Sequence, residues 1–162
     1  MIMFDIQLFG RLEVRTRGIR LAGADFGGDR ARHLLALLAL RGERSLVELS
    51  DLMAVPATTV RDDLAVLRDR LEPGVRTRDS VITARRNRLS LAPDRVRVDV
   101  ATFDELIRAA SGRTAERAAR PLTAAAYLAT RPLLEDVDTP WAAEARAEYR
   151  AKLIMSAQPI RS

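Results

Sequence analysis

The 162-residue sequence contains no cysteine. That absence excludes disulfides, thiol nucleophiles and thiolate metal sites, and it agrees with a reducing compartment. Aromatic residues make up only 4% of the chain, against 48% hydrophobic residues of all kinds. The core must therefore be built from Leu, Val, Ile and Ala rather than from stacked rings. Lysine is almost missing as well, since Lys152 is the one Lys in a chain otherwise basic through Arg. Such a bias is expected of a GC-rich genome. Long apolar runs are also lacking. The longest, Leu34 to Leu40, falls far short of the roughly 20 residues that span a bilayer. The opening MIMFDIQLFG carries an early Asp5 and no charged n-region, so it does not read as a secretory signal. The expectation is a cytoplasmic protein without a membrane partner. What remains is apolar and regularly patterned enough to fold.

The formal charge is +5, and its placement says more than its size. Residues 1–56 carry eight Arg and seven acids, and residues 57–72 three Arg and four acids. Residues 73–97 carry seven Arg and two Asp, while 98–162 balance at nine each. The surplus thus sits in one short segment.

Along the chain, IMFDIQLF reads as a strand ended by Gly10. Leu12 and Val14, then Ile19 and Leu21, alternate around a turn at Gly18, which makes a small antiparallel sheet. Gly23, Gly27 and Gly28 interrupt the pattern without the GK[ST] ending of a phosphate loop. A helix follows from Asp29, read as its N-cap, to Gly42 at its C-terminal end, with Leu34, Leu37 and Leu38 as its stripe and Leu35 and Leu40 widening it. Ser45 reads as an N-cap or a short strand. It precedes a short helix with Leu46, Leu49, Leu52 and Met53 inward, ended by Pro56. Residues 57–72 place Val60, Leu64, Leu67 and Leu71 on one helical face, and Pro73-Gly74 stops that helix. Val81–Thr83 and Leu89–Leu91 then form a hairpin around Ala84-Arg85-Arg86-Asn87-Arg88. Val96, Val98 and Val100 alternate as a last strand or extended linker. Beyond them the texture is Ala-rich and helical, with caps expected at Thr102 and Thr139, Pro140 at a first helical position, and Pro121 breaking or starting a helix. The tail SAQPIRS shows no further pattern.

The predicted class is α+β. It comprises a winged helix-turn-helix over residues 1–97 (small N-terminal antiparallel sheet, three helices, β-hairpin wing) and an all-α segment over 98–162. IQLFGRLEVRTRG, RARHLLALLALRGERSLVELSDLM, TVRDDLAVLRDRLEPG, VDVATFDELIRAA and AAAYLATRPLLEDVDTPWAAEARAEYR together resemble the SARP family of antibiotic regulatory proteins. That family joins an OmpR-like winged helix to a TPR-like bacterial transcriptional activator domain. The resemblance implies DNA binding at direct repeats by paired protomers, and activation through contact with RNA polymerase or its sigma factor. It also implies that residues 98–162 are only the start of a truncated activator domain. The sequence departs from the family at Leu52-Met53-Ala54-Val55-Pro56, where a Leu-Trp-Gly segment is usual, and at Asn87-Arg88, where Gly-Tyr is.

Two readings of the candidate DNA face stand side by side. On a helical wheel, 57–72 points Thr58, Asp62, Ala65, Val66 and Asp69 outward, with Arg61 and Arg68 on one flank and Asp63 and Arg70 on the other. A major-groove helix is expected to offer donors and small polar groups, and carboxylates facing a polyanion are unfavourable unless one accepts from cytosine N4. Arg85, Arg86 and Arg88 at the hairpin tip, with Arg76 and Arg78 before it, form the opposite signal, a cationic patch for phosphate or minor-groove contacts. The candidate DNA contacts are thus Thr58, Thr59, Arg61, Arg68, Arg76, Arg78, Arg85, Arg86 and Arg88. The alternative is a degenerate winged helix serving as a protein-interaction module. His33 has no catalytic partner nearby in sequence, the Asp residues of 57–72 scatter around the wheel, and Trp141 reads as packing. Neither an enzyme nor a metal or cofactor site is expected.

Overall fold

The computed structural model describes residues 2–157. The chain separates into two compact units, one of residues 1–6 with 12–97, the other of residues 7–11 with 98–162. Sequence patterning places 7–11 with the N-terminal strands. In the fold, the continuation of the first strand belongs with the helical unit instead.

The first unit opens with β1 (Phe4–Gln7), β2 (Glu13–Thr16) and β3 (Ile19–Ala22). The β2–β3 turn is Arg17-Gly18, both at positive φ, with Thr16 paired to Ile19. This is the geometry that lets a two-residue loop follow the strands' twist. β7 (Val96–Val98) lies beside β1, so the sheet order is β3-β2-β1-β7. A short 3-10 turn, Gly23–Phe26, then buries Phe26 and ends at Gly27 with φ 90°. A side chain at Gly27 would be strained there and would also run into Val66.

α1 (Asp29–Arg41) is the centre of the core: Leu34, Leu35, Leu37, Leu38 and Leu40 are all buried. Gly28 is its N-cap and Asp29 lies inside the first turn, so the expected cap is displaced by one residue. Gly42 ends the helix at φ 77°. Ser45 fulfils both of its readings. It closes the two-residue strand β4 (Arg44–Ser45) and caps α2 (Leu46–Met53) in a capping box with Glu48. Two expectations for α2 fail. The helix ends at Ala54 in the left-handed region, while Pro56 caps the next helix; and Leu52 is 40% exposed rather than inward. Met53 is half-buried, and the left-handed residue turns the chain off the helix axis immediately after it.

α3 (Ala57–Leu71) follows the predicted stripe, with Val60, Leu64, Leu67 and Leu71 buried. β5 (Ile82–Arg85) and β6 (Arg88–Leu91) form the hairpin, and β4 joins it to give the order β4-β6-β5. The tip is tighter than the five residues read from sequence. It is the two-residue loop Arg86-Asn87, at φ 51° and 60°, closed by the Arg85–Arg88 pair. Below it, buried Glu72 accepts from the Val81 N–H at 2.6 Å and from Arg95 Nη2 at 2.7 Å. Arg95 also donates to the Asp79 carbonyl and lies over the Phe4 ring.

In the second unit, α4 (Asp99–Ala110) starts at Asp99, capped by Val98, three residues before the expected Thr102. The Asp99 carboxylate accepts the Leu8 and Phe9 N–H groups at 2.9–3.0 Å, which is why the helix begins there. α5 (Ala115–Leu128) is capped by Thr114 and carries Pro121 inside it, and α6 (Pro140–Ser156) is capped by Thr139. Phe9, Phe103 and Tyr149 pack ring on ring at 5.3–5.9 Å between centroids. Trp141 is buried. The end of the SAQPIRS tail, residues 158–162, lies outside the described residues.

Candidate nucleic-acid interface

The nine candidate contacts divide once their partners are visible. Thr58 and Thr59 fall in the first turn of α3, Thr58 exposed and Thr59 half-buried. Pro56 offers no capping side chain, and that turn contains no acidic residue. The Thr59 and Val60 N–H groups donate to the Pro56 carbonyl at 3.0 and 3.2 Å, so only the Ala57 and Thr58 N–H groups ahead of them are left to suit an anion. One turn on, exposed Arg61 donates from Nη2 to Asn87 Oδ1 at the hairpin tip, 3.2 Å away.

Arg68 departs from its expected role as a flanking phosphate contact. Its Nη2 donates to the Ile82 carbonyl at 2.7 Å, and its Nε–H is buried. Burial depresses its pKa, with Glu72 opposing that effect. The guanidinium ties α3 to the base of the hairpin rather than standing free in solvent.

Arg88 is likewise engaged. Its guanidinium lies 3.1 Å from Glu43 and 3.8 Å from Glu48. Glu48 is held below the usual carboxylate range chiefly by the backbone N–H and hydroxyl of Ser45, with Arg88 and Arg44 adding to that. The two carboxylates cancel much of what Arg88 contributes. Arg85 and Arg86 are different: both are exposed, and neither has a protein partner among the described residues. They are the free cations of the wing.

Arg76 and Arg78 are exposed on the 73–80 connection, Arg76 capping and Arg78 inside a 3-10 turn at Thr77–Asp79. They do not join the tip in one compact patch. Arg61 touches the tip and Arg68 touches the hairpin base, so the hairpin runs alongside α3. Seven helical residues separate those contacts, about 10 Å at 1.5 Å per residue. Arg76 and Arg78 follow the end of α3 at the base, a second and separate basic site.

The outward line of α3 is Thr58, Asp62, Ala65 and Asp69, each exposed. Asp62 and Asp69 have no protein partner among the described residues. Asp63, placed by the wheel on an outer flank, is instead buried and paired with Arg30 at 3.1 Å. Sequence reasoning missed Asn87 as more than a turn residue, and missed Glu43 and Glu48 as partners of Arg88. An Asn at a hairpin tip was the visible signal for the turn, but nothing local announces a contact 26 residues away.

No group of acidic or histidine side chains among the described residues could hold a metal ion. Among the same residues, no helix is long and apolar enough to cross a membrane.

No protein-family model and no curated protein matches the chain. Among solved structures it is similar to Mycobacterium tuberculosis EmbR, solved in complex with a low-affinity phosphopeptide, at TM-score 0.74 and 22% identity over 96% of this chain. The chain spans 44% of the EmbR chain it matches. At that identity the likeness concerns the fold: this is a mixed α+β chain with the fold of the corresponding part of EmbR.

Proposed function

We propose that the chain is a DNA-binding transcriptional regulator of the SARP type, acting in the cytoplasm and without catalytic activity of its own. The observation that carries this reading is the hairpin tip. Arg85 and Arg86 stand exposed and unpartnered on a tight two-residue loop, and Arg61 of the adjacent helix is tied to that same tip. Duplex DNA is the ligand such a surface suits: α3 lies along the major groove, Thr58 and Arg61 reach phosphates, and the wing grips the neighbouring backbone. Contacts of this kind give affinity and strong salt dependence, with little sequence selectivity. The helical region is the candidate surface for RNA polymerase or its sigma factor. The groove of α4 and α5 supports that role, since it is lined by Leu106, Tyr127 and Leu128, with Tyr127 81% exposed. Pairing of protomers on direct repeats belongs to the same reading.

A double substitution tests it. Arg85→Ala with Arg86→Gly removes both cations while leaving a turn that glycine accepts without strain. Binding to duplex DNA is expected to weaken, and the slope of log affinity against log salt to fall by nearly two. Unchanged binding would remove the wing from the mechanism.

One observation favours a second reading. The bare carboxylates of Asp62 and Asp69 on the outward line of α3 suit a basic protein partner better than a polyanion. A winged helix serving as a protein-interaction module would bind no duplex even at low salt.

A further inference from the structure

We infer that Asn87 is the positioning residue of this interface: its side chain holds the Arg61 guanidinium against the wing tip, so that helix and wing present their cations at one fixed spacing. This rests on the DNA-binding reading above.

Asn87 is the second residue of the turn, at φ 60°, a backbone state that Asn tolerates better than most residues. Its other groups reach beyond the hairpin. Oδ1 accepts from Arg61 Nη2 at 3.2 Å, and its backbone carbonyl accepts the Leu46 N–H, the first of α2, at 2.8 Å. Next to it, Arg88 is held by Glu43 and Glu48. The tip is therefore fastened to the start of α2 and to the second turn of α3.

Arg61 has no alternative anchor on its own helix. The positions three and four residues away are Ala57, Thr58, Leu64 and Ala65, none of them acidic. The Asn87 oxygen is its only protein partner among the described residues. The choice of an amide matters chemically. A neutral oxygen orients the guanidinium but leaves its full charge and its remaining N–H donors for phosphate. A carboxylate at the same place would hold it equally well and cancel the charge. Position 87 thus sets both the direction and the effective charge of Arg61.

Two variants of the full chain, measured by anisotropy with a labelled mixed-sequence duplex, test the inference. Asn87→Gly keeps the positive-φ turn and removes the amide. It is expected to melt like the parent protein and to bind roughly fivefold more weakly with the salt slope unchanged, since no cation is lost. In an Arg61→Ala background the same substitution is expected to cost nothing more. Asn87→Asp keeps turn and contact, yet should bind more weakly still, with the slope flattened by about one phosphate contact. Binding by Asn87→Gly equal to the parent, or a loss of the same size with and without Arg61, overturns the positioning role. If Arg85→Ala with Arg86→Gly weakens binding while Asn87→Gly does not, the positioning role alone falls. If the parent protein binds no duplex at all, the DNA-binding reading falls and takes this inference with it.

Discussion

Five arginines near the proposed interface show how little residue type decides at the scale of one side chain. Arg85 and Arg86 have no partner among the described residues, Arg61 is oriented by an amide, Arg68 is spent on a backbone carbonyl, and Arg88 faces two glutamates. Arg85 and Arg88 are three positions apart in sequence, but the partner that distinguishes them, Glu43, lies 45 positions from Arg88. No local pattern could have told them apart. The carboxylates on α3 divide in the same way, Asp63 into a buried ion pair and Asp62 and Asp69 into solvent. If α3 approaches DNA, Asp62→Asn with Asp69→Asn should tighten binding roughly thirtyfold at low salt, from about 1 kcal/mol of relieved repulsion per carboxylate. A helix that never meets DNA would show no change. A separate prediction concerns Asp99, whose carboxyl is held above its usual value by burial, against the opposing hydrogen bonds from Phe9 and Leu8. The folded chain therefore binds that proton more tightly than the unfolded one. Its contribution to stability falls as pH rises from about 4 through the raised value. Asp99→Asn cannot titrate, so denaturation across a pH series should lose that downward component. An identical pH profile in the variant would exclude Asp99 as its source.

Whole elements were easier to read than side chains. The Val60, Leu64, Leu67, Leu71 stripe defined α3 because a helix has only one way to put four apolar residues on one face, and all four are buried. Thr139-Pro140 marked the start of α6 for an equally local reason. Legibility failed where tertiary contacts set a boundary. Thr102 looks like a cap, but Asp99 starts α4 earlier by accepting N–H groups from residues 8 and 9. The hairpin was visible, while the β4 strand that extends it was only one of two readings of Ser45. Beside the Arg68 and Arg61 ties, the end of α3 is held by the Glu72–Arg95 pair, with side chains only 3% and 14% exposed. Glu72 also receives the Val81 N–H just before β5. Removing one member of so buried a pair leaves the other without compensation. Glu72→Ala is thus expected to cost about 3–5 kcal/mol in chemical denaturation. A loss below about 1 kcal/mol would mean that the pair does not hold the end of α3 to β5.

At the scale of the whole molecule, the placement of charge along the sequence points to the basic surface. The net excess lies in residues 73–97, and the fold turns that excess into two sites, the wing tip and the 76–78 connection, rather than one patch. The order of elements read from sequence is the order found, and the fold is shared with EmbR over 96% of the chain. What patterning could not show is that residues 7–11 leave the N-terminal unit for the helical one. That depends on pairing with distant backbone, such as Gly10 N–H to the Pro132 carbonyl and Leu134 N–H to the Leu8 carbonyl. On the proposed reading, a few arginines without a partner among the described residues grip DNA phosphates in spite of an acidic helix face. Fluorescence anisotropy with a labelled mixed-sequence duplex, titrated over several salt concentrations, tests it most directly. The account predicts clear binding at low salt, and a log–log slope of about −3 if Arg61, Arg85 and Arg86 each displace one counterion. No binding at low salt, or binding indifferent to salt, would contradict it.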